Sequence, residues 1–242
     1  MRLVGVGVGP GDPDLVTVRA VRVLESADLV VVPVMDPVEQ GRAEAPVRAH
    51  VTHDRLRRLV FALDDRGGPT AERLQAWEAA ADEVADALRG GAASVAFATI
   101  GDPNVYSTFT YLADAVRERL ADVQVETVPG ITAMQDLAAR SGTVLCEGTE
   151  SLALLPLTAG IDAFDEALTH FDTVVAYKGG RSMARVRDVL ERSGRLGDAV
   201  YGAALGLPGE QVGPAGEAPA DAPYLSTVIV PARGRTGRGS KL

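Results

Sequence analysis

The chain has 242 residues, 46% of them hydrophobic and 24% charged, which is typical of a globular protein with a buried core. Its formal net charge of −9 argues against nucleic acid as a partner, because phosphate binding needs a basic field. A single cysteine, Cys146, excludes an internal disulfide, and no apolar run reaches the roughly 18 residues of a membrane helix. We therefore expect a cytoplasmic protein without a nucleic-acid or membrane partner.

Strand-like and helical patterns alternate through the first half of the chain. Apolar runs predict strands at RLVGVGV, DLVVVPV, RLVFAL, ASVAFAT and VQVETV. Helices are predicted at DPDLVTVRAVRVLESA, along the apolar face of residues 74–88, and at STFTYLADAVRERL. The near-continuous apolar run DLVVVPV is typical of a strand covered on both faces of a parallel sheet. This alternation indicates an α/β domain.

The rhythm changes after the helical stretch PGITAMQDLAARSG. Strands are predicted at SLALLPL, DTVVAY, DAVYGAAL and YLSTVIV, with helices near DAFDEALTHF and SMARVRDVLERSG. Long irregular spacers precede the last strands, which favours a mixed sheet. We predict one domain at 1–129 with a mostly parallel sheet, a second at 130–232 with a mixed sheet, and a disordered tail at 233–242.

The glycine-rich stretch VGVGPGDP follows the first predicted strand. The dinucleotide fingerprint G-x-G-x-x-G does not fit, because its last position would fall on Pro10 or Asp12, and no G-K-[ST] follows a glycine loop. A carboxylate at a helix start would also repel a pyrophosphate there. Asp12 followed by Pro13 has a structural interpretation as a helix N-cap. The glycines instead indicate close approach by a ligand or by another backbone segment.

Two further strand-to-helix corners resemble the first. The stretch FATIGDPNVYST again runs from a strand through Gly101-Asp102-Pro103 to a helix, and in VETVPGITAM Gly130 permits a tight turn before Thr132, a possible cap. Open α/β sheets bind ligands at the carboxyl ends of their parallel strands. Three corners of this kind in one sheet therefore predict a ligand site at that edge.

The stretches VGVGPGDPDLVT, GDPNVYST, VPGITA and ESLALLPL, in this order, resemble the tetrapyrrole methylases over nearly the whole chain. Members of this family transfer methyl groups from S-adenosylmethionine to corrinoid or sirohaem precursors. The resemblance implies two α/β domains, a homodimer, and a cofactor in the cleft between the domains. ATIGDPNVYSTFTYL and LCEGTESLALLP are most similar to the branch that methylates carbon 20 of precorrin-2, which implies a role in cobalamin biosynthesis.

The resemblance also implies a set of site residues. Those implied to contact the cofactor are Pro10, Ile100, Gly101, Asp102, Val105, Thr132, Ala133, Lys178 and Ala203. Lys178 stands where many relatives have methionine, so we expect only its backbone contact to be retained. A proton must leave carbon 20 after transfer. Asp12, Asp102 and Tyr106 are the candidate catalytic residues for that step, with water or substrate carboxylates as alternatives.

The implied substrate carries many carboxylates, whereas the chain is acidic, so positive charge would have to be local. The long irregular segment after the second strand holds a basic cluster: Arg42, Arg48, His50, His53, Arg55, Arg57 and Arg58. Arginine suits bidentate pairing with carboxylates, so the cluster is a candidate substrate mouth, although a solvated helix face is the alternative. His50 and His53 lack a third ligand at suitable spacing, so we expect no metal site.

Three other functions remain open. The chain could methylate a different tetrapyrrole position, or act on a cobalt-containing rather than a metal-free substrate. An ordinary Rossmann-type methyltransferase or dehydrogenase would need an acid at the end of the second strand, where only Asp36 stands, slightly late. A non-catalytic protein that binds S-adenosylmethionine as a regulator would keep the three corners but lack a roomy polar mouth.

Overall fold

A computed structural model describes residues 1–52, 54–61 and 70–235. The chain divides into two compact units, Met1–Thr132 and Ala133–Leu242. Each is an α/β unit, the first with a parallel sheet and the second with a mixed one, so the predicted fold class is confirmed. The division falls after Thr132, whereas the sequence-based boundary follows residue 129. Of the predicted tail, residues 236–242 lie outside the described part of the chain.

The first unit contains a five-stranded parallel sheet in the order β3-β2-β4-β1-β5. Its strands are β1 (Arg2–Gly7), β2 (Leu29–Val34), β3 (Leu56–Val60), β4 (Ser94–Thr99) and β5 (Gln124–Val128). Its helices are α1 (Val18–Ser26), α2 (Glu44–His50), α3 (Ala71–Arg89) and α4 (Phe109–Arg119). Because all five strands run in the same direction, their carboxyl ends meet at one edge.

Helices cover both faces of this sheet. On one face, Phe97 of β4 packs with Val84 of α3 and Phe109 of α4. On the other face, Val30 of β2 packs with Leu24 of α1. Two covered faces explain why β4 is buried along its whole length and why β2 is an apolar run without alternation.

Two local features differ from the sequence-based expectation. Asp12 is an N-cap, but of a short 3₁₀ turn at Pro13–Leu15 and not of α1. Helix α1 has its own cap, Thr17, whose hydroxyl accepts a hydrogen bond from Ala20 N at 3.1 Å. The segment after β2, which reads as irregular, contains α2. That helix is anchored by Glu44, which is only 1% exposed.

The second unit holds a mixed sheet in the order β6-β7-β10-β8-β9. Its strands are β6 (Leu152–Pro156), β7 (Thr173–Tyr177), β8 (Val200–Ala203), β9 (Gln211–Pro214) and β10 (Ser226–Val230). Its helices are α5 (Ala133–Ser141), α6 (Ile161–His170) and α7 (Met183–Arg192). Among the strand pairs described in this unit, only β6 and β7 pair in parallel. Helices α6 and α7 cover one face, and α5 covers the other.

Strand β9 lies inside a glycine- and proline-rich spacer where no strand was expected. It pairs with β8 alone at the edge of the sheet and ends at Pro214, a position that needs no ladder hydrogen bond from its nitrogen. Within the described residues, every helix is too short or too polar to span a bilayer.

Candidate functional site

Three corners of the chain meet at the carboxyl edge of the first sheet. They follow β1, β4 and β5, which are neighbours in the order β4-β1-β5. Backbone hydrogen bonds join the first two corners beyond the strands, from Val8 N to Thr99 O at 2.9 Å and from Gly101 N to Gly9 O at 2.7 Å. The sequence prediction that these corners share one edge is therefore confirmed.

The corners approach one another so closely that only glycine fits. A Cβ on Gly7 would lie 2.5 Å from the carbonyl oxygen of Gly101 and 2.6 Å from the nitrogen of Gly130. A Cβ on Gly130 would overlap the same carbonyl oxygen of Gly101. Gly7 and Gly130 are thus required by contact between backbone segments, one of the two explanations that the sequence left open.

Gly101 is required for a different reason. Its φ is +71°, in the left-handed region, and a Cβ placed there would meet nothing within 4 Å. Space is therefore open beside Gly101, at the point where the second corner turns away from the sheet.

Asp102 links the second corner to the third. Its side chain is almost fully buried, at 9% exposure. Oδ1 accepts a hydrogen bond from Asn104 N at 2.8 Å, and Oδ2 accepts one from Gly130 N at 2.9 Å. The carboxylate of Asp12 accepts from Asp14 N at 3.0 Å, as an N-cap does.

The other predicted residues of the first unit also lie on these corners. Pro10 is buried, Ile100 and Val105 are half-buried, and Thr132 is 8% exposed. Tyr106 is 43% exposed, and desolvation raises the pKa of its hydroxyl above the ordinary value. The predicted residues of the first unit therefore lie together at the carboxyl edge of its sheet.

A second group of predicted residues lies in the second unit. Strands β7 and β8 both run antiparallel to β10, which lies between them, so their carboxyl ends share an edge. Lys178 follows β7 and donates its backbone N–H to Ser226 O at 3.0 Å, while Ala203 ends β8. Ala133 begins α5, and the next residue, Met134, donates its N–H to the hydroxyl of Tyr177 at 2.9 Å.

Backbone strain coincides with the predicted site in both units. Among the described residues, the non-glycine residues with positive φ are Tyr106 at 50°, Lys178 at 61° and Ala204 at 50°. The first two are predicted site residues, and the third follows Ala203. Such conformations cost free energy and concentrate at functional sites. The sequence did not indicate a positive φ at Ala204, because alanine does not favour the left-handed region.

Part of the basic cluster is engaged with a buried acid that the sequence analysis missed. Glu44 accepts hydrogen bonds from Arg48 Nε and Arg58 Nε, both at 2.7 Å. Burial raises the pKa of Glu44, but the hydrogen bonds from Arg58 and Arg48 outweigh it, so the pKa lies below its ordinary value. Arg58 also donates to Pro37 O at 3.0 Å and Val38 O at 3.1 Å, which fixes the segment after β2.

The remaining members of the cluster lie apart from this network. Arg57 contacts Glu83 at 3.4 Å on an exposed surface, and Arg55 contacts Glu25 O at 3.4 Å. His50 Nε2 lies 2.8 Å from Pro13 O, in the turn after the first corner. His53 is outside the described residues, among which no cluster of three His, Cys, Asp or Glu side chains forms a metal site. A role in substrate binding stays a prediction for this cluster.

Comparison with known proteins gives matches along most of the chain. A family model described as Tetrapyrrole (Corrin/Porphyrin) Methylases matches residues 2–219. The precorrin-2 C(20)-methyltransferase of Sinorhizobium sp. is 33% identical over 243 residues, covering 95% of each chain. The cobalt-precorrin-2 C(20)-methyltransferase of Salmonella typhimurium is 30% identical over 233 residues, again covering 95% of each chain.

Two further matches bear on length and fold. The cobalamin biosynthesis protein CobIJ of Mycobacterium bovis is 34% identical over 233 residues, which are 94% of this chain and 45% of that protein. The chain thus spans about half the length of the first curated relatives it matches. The crystal structure of uroporphyrin-III C-methyltransferase from Thermus thermophilus matches with a TM-score of 0.65 and 25% identity, covering 96% of this chain and 92% of that one.

Proposed function

The chain belongs to the tetrapyrrole (corrin/porphyrin) methylases, and we propose that it transfers a methyl group from S-adenosylmethionine to carbon 20 of precorrin-2. The product is precorrin-3A, and the reaction belongs to cobalamin biosynthesis. The observation that carries the proposal is the 33% identity to the Sinorhizobium precorrin-2 C(20)-methyltransferase over 95% of both chains.

The residues at the corners fit S-adenosylmethionine in charge and in shape. This cofactor has a cationic sulfonium and an amino acid end but no phosphate. The corners offer open space beside Gly101 and the carboxylate of Asp12, a combination that suits a cation and disfavours a pyrophosphate.

We assign the predicted contacts in each unit separately. In the first unit, Pro10 borders the methionyl end, and the residues that line the corner after β4 are Ile100, Gly101, Asp102 and Val105. Thr132, and Ala133 at the start of the second unit, contact adenosyl or methionine atoms through backbone and hydroxyl groups. In the second unit, Lys178 contacts the adenine through its backbone, which the left-handed conformation at φ 61° supports, and Ala203 makes a further adenine contact.

The chain's main contribution to catalysis is orientation. When bound, S-adenosylmethionine supplies a methyl group already activated by the sulfonium. Holding carbon 20 in line with that methyl can supply about 7–11 kcal/mol of the barrier. Desolvation raises the pKa of Tyr106 above its ordinary value, so its hydroxyl suits a hydrogen-bond donor to the substrate better than a proton acceptor. Asp12, water or substrate carboxylates then remain to accept the proton from carbon 20.

The substrate is a polycarboxylate, and we propose that cationic side chains of the segment after β2 bind it. Glu44 engages Arg48 and Arg58, and Arg57 contacts Glu83. Arg55 precedes β3 at the amino edge of the sheet, so Arg42, in the segment after β2, is the better candidate for carboxylate binding. We further propose a cytoplasmic homodimer that binds neither nucleic acid nor membrane. Charge reversal at Arg42 is expected to raise the KM for the tetrapyrrole and to leave the Kd for S-adenosylmethionine unchanged.

A second candidate substrate is cobalt-precorrin-2. The observation that favours it is the 30% identity to the Salmonella cobalt-precorrin-2 C(20)-methyltransferase, over the same 95% of both chains.

One labelling experiment tests the proposed reaction. The protein is incubated with methyl-¹³C S-adenosylmethionine and precorrin-2, with and without bound cobalt, and the new methyl is located by NMR. Label at carbon 20 supports the proposal, and the relative rates identify the preferred substrate. Label at another carbon indicates a different member of the family. Binding of S-adenosylmethionine without transfer indicates a regulator.

A further inference from the structure

The contact between the three corners of the first unit consists mostly of glycine backbone. Gly7, Gly101 and Gly130 bury little apolar side-chain area against one another. Backbone hydrogen bonds join the first corner to the second, from Val8 N to Thr99 O and from Gly101 N to Gly9 O. A polar link from the second corner to the third would complete the arrangement of the edge.

Asp102 provides that link with both of its carboxylate oxygens. Oδ1 holds Asn104 N within the second corner, and Oδ2 holds Gly130 N of the third corner, 28 residues away. Hydrogen bonds between a carboxylate and backbone N–H groups are stronger than neutral ones. The link also holds Gly130 against Gly101, beside which the open space lies.

We infer that Asp102 is a positioning residue, whose carboxylate acts through the backbone of Asn104 and Gly130 to hold the second and third corners in the arrangement that S-adenosylmethionine requires. This inference rests on the proposed function. It replaces the possibility that Asp102 accepts the proton from carbon 20. A proton acceptor needs an oxygen facing the substrate, whereas both oxygens of Asp102 face main-chain donors and the side chain is 9% exposed.

The opposite edge of the same sheet supplies a matched control. Asp28 precedes β2, and its Oδ2 accepts hydrogen bonds from Ala93 N and Ser94 N, each at 2.9 Å. Asp28 thus joins two segments of the first unit through two backbone N–H groups, as Asp102 does, but at the amino ends of the strands. Its loss removes a similar link far from the proposed cofactor.

The test compares wild type, Asp102→Asn and Asp28→Ala. At position 102 an asparagine can accept one of the two hydrogen bonds but presents an N–H₂ group to the other donor. Both backbone hydrogen bonds to Asp28 go to one oxygen, which an asparagine could replace, so alanine is used there. We expect Asp102→Asn to raise the Kd for S-adenosylmethionine in calorimetric titration about tenfold or more, and Asp28→Ala to change it less than about twofold. At saturating cofactor, Asp102→Asn should retain the shape of the wild-type pH profile of kcat.

Each alternative result is decisive. Wild-type affinity in a folded Asp102→Asn variant overturns the inference, as does loss of the acidic limb of the kcat profile with an unchanged KM for the cofactor, which would identify a base. If Asp102→Asn does not fold, hydrogen exchange of the cofactor-free wild type decides, since the Gly130 amide is expected to be protected and rapid exchange would overturn the inference. Failure of wild type to bind S-adenosylmethionine would instead reject the proposed function.

Discussion

The candidate ligand edges of the two units differ in the residues that determine their backbone conformation. In the first unit, glycine backbone packs on glycine backbone at Gly7, Gly101 and Gly130. In the second unit, ordinary residues are held in the left-handed region, at Lys178 and at Ala204. The first edge therefore depends mainly on the absence of side chains, with Tyr106 as its strained residue. The second edge combines two strained residues with a tight glycine, Gly180, whose Cβ would overlap the carbonyl oxygens of Ala222 and Pro223.

The two edges differ in how far their residues can be recognised from the sequence. A backbone contact that excludes Cβ atoms can be met only by glycine, so the first edge is visible as a motif. A strained alanine or lysine looks like any other alanine or lysine. The site residues of the second edge, Lys178 and Ala203, are therefore predicted by the resemblance to a family and not by the chemistry of individual residues.

The largest expected effect comes from adding a methyl group to the first edge. Gly7→Ala and Gly130→Ala place a Cβ against backbone atoms that cannot move independently, so each should lower the free energy of unfolding by about 2–4 kcal/mol. Urea unfolding followed by the fluorescence of Trp77, the chain's one tryptophan, reports on this unit.

Gly197→Ala is the control for these variants. A Cβ at Gly197 would meet nothing within 4 Å and the residue's φ is not positive, so circular dichroism should record a change within about 0.5 kcal/mol. If Gly7→Ala were as mild as Gly197→Ala, the close backbone packing of the first edge would be refuted.

The strands were predictable wherever the pattern was long and apolar, as in β2 and β4, because burial on both faces leaves few polar residues. Strand β9 was missed because a four-residue edge strand with a glycine and a proline carries little β propensity. Helix α2 was missed because Glu44 is its buried anchor, and a glutamate is rarely buried unless paired. Its partner Arg58 is 14 residues away, so only the folded chain reveals the pair.

The corners of the first unit were predictable in position but not in mechanism. Asp102 was expected to face a ligand, whereas its oxygens face Asn104 N and Gly130 N. A sequence cannot show which backbone donors a carboxylate will meet across a sheet edge. Periodicity likewise does not show which apolar residues of a helix are buried. Leu74 fits the apolar periodicity of α3 but is 47% exposed near the start of that helix.

The second prediction concerns the buried charge beside the first edge. Glu44→Gln should destabilise the first unit by about 2–3 kcal/mol at pH 7, because two arginines lose their anionic partner. The pKa of Glu44 is lower in the folded state, so its contribution is present above its ordinary value of 4.5 and is lost as pH falls through the folded-state pKa.

Trp77 fluorescence in urea at several pH values below 7 measures this effect. Wild type should lose stability in acid more steeply than Glu44→Gln, and the exposed control Glu118→Gln should follow wild type. Parallel curves for wild type and Glu44→Gln would contradict the assigned pKa direction.

The third prediction tests how the second edge is held. The hydroxyl of Tyr177 accepts the N–H of Met134 at the start of α5, so Tyr177→Phe should cost about 1 kcal/mol while retaining the ring. Calorimetric melting measures the loss. Tyr111→Phe is the control, since Tyr111 stacks on Trp77 at 4.6 Å through its ring and should melt as wild type does.

The smallest expected effect separates stability from function at the second edge. Ala204→Gly removes a methyl group from a residue at φ 50°, so it should stabilise the protein by about 0.5–1 kcal/mol. Ala163→Gly in α6 should destabilise the protein by a similar amount, because glycine weakens a helix interior.

If the strain at Ala204 holds the adenine side of the proposed site in place, Ala204→Gly should also weaken S-adenosylmethionine binding, by about two- to fivefold in titration. A variant that gains stability without losing affinity would mean that the strain is incidental, and the second edge would then owe its shape to hydrogen bonds such as that of Tyr177.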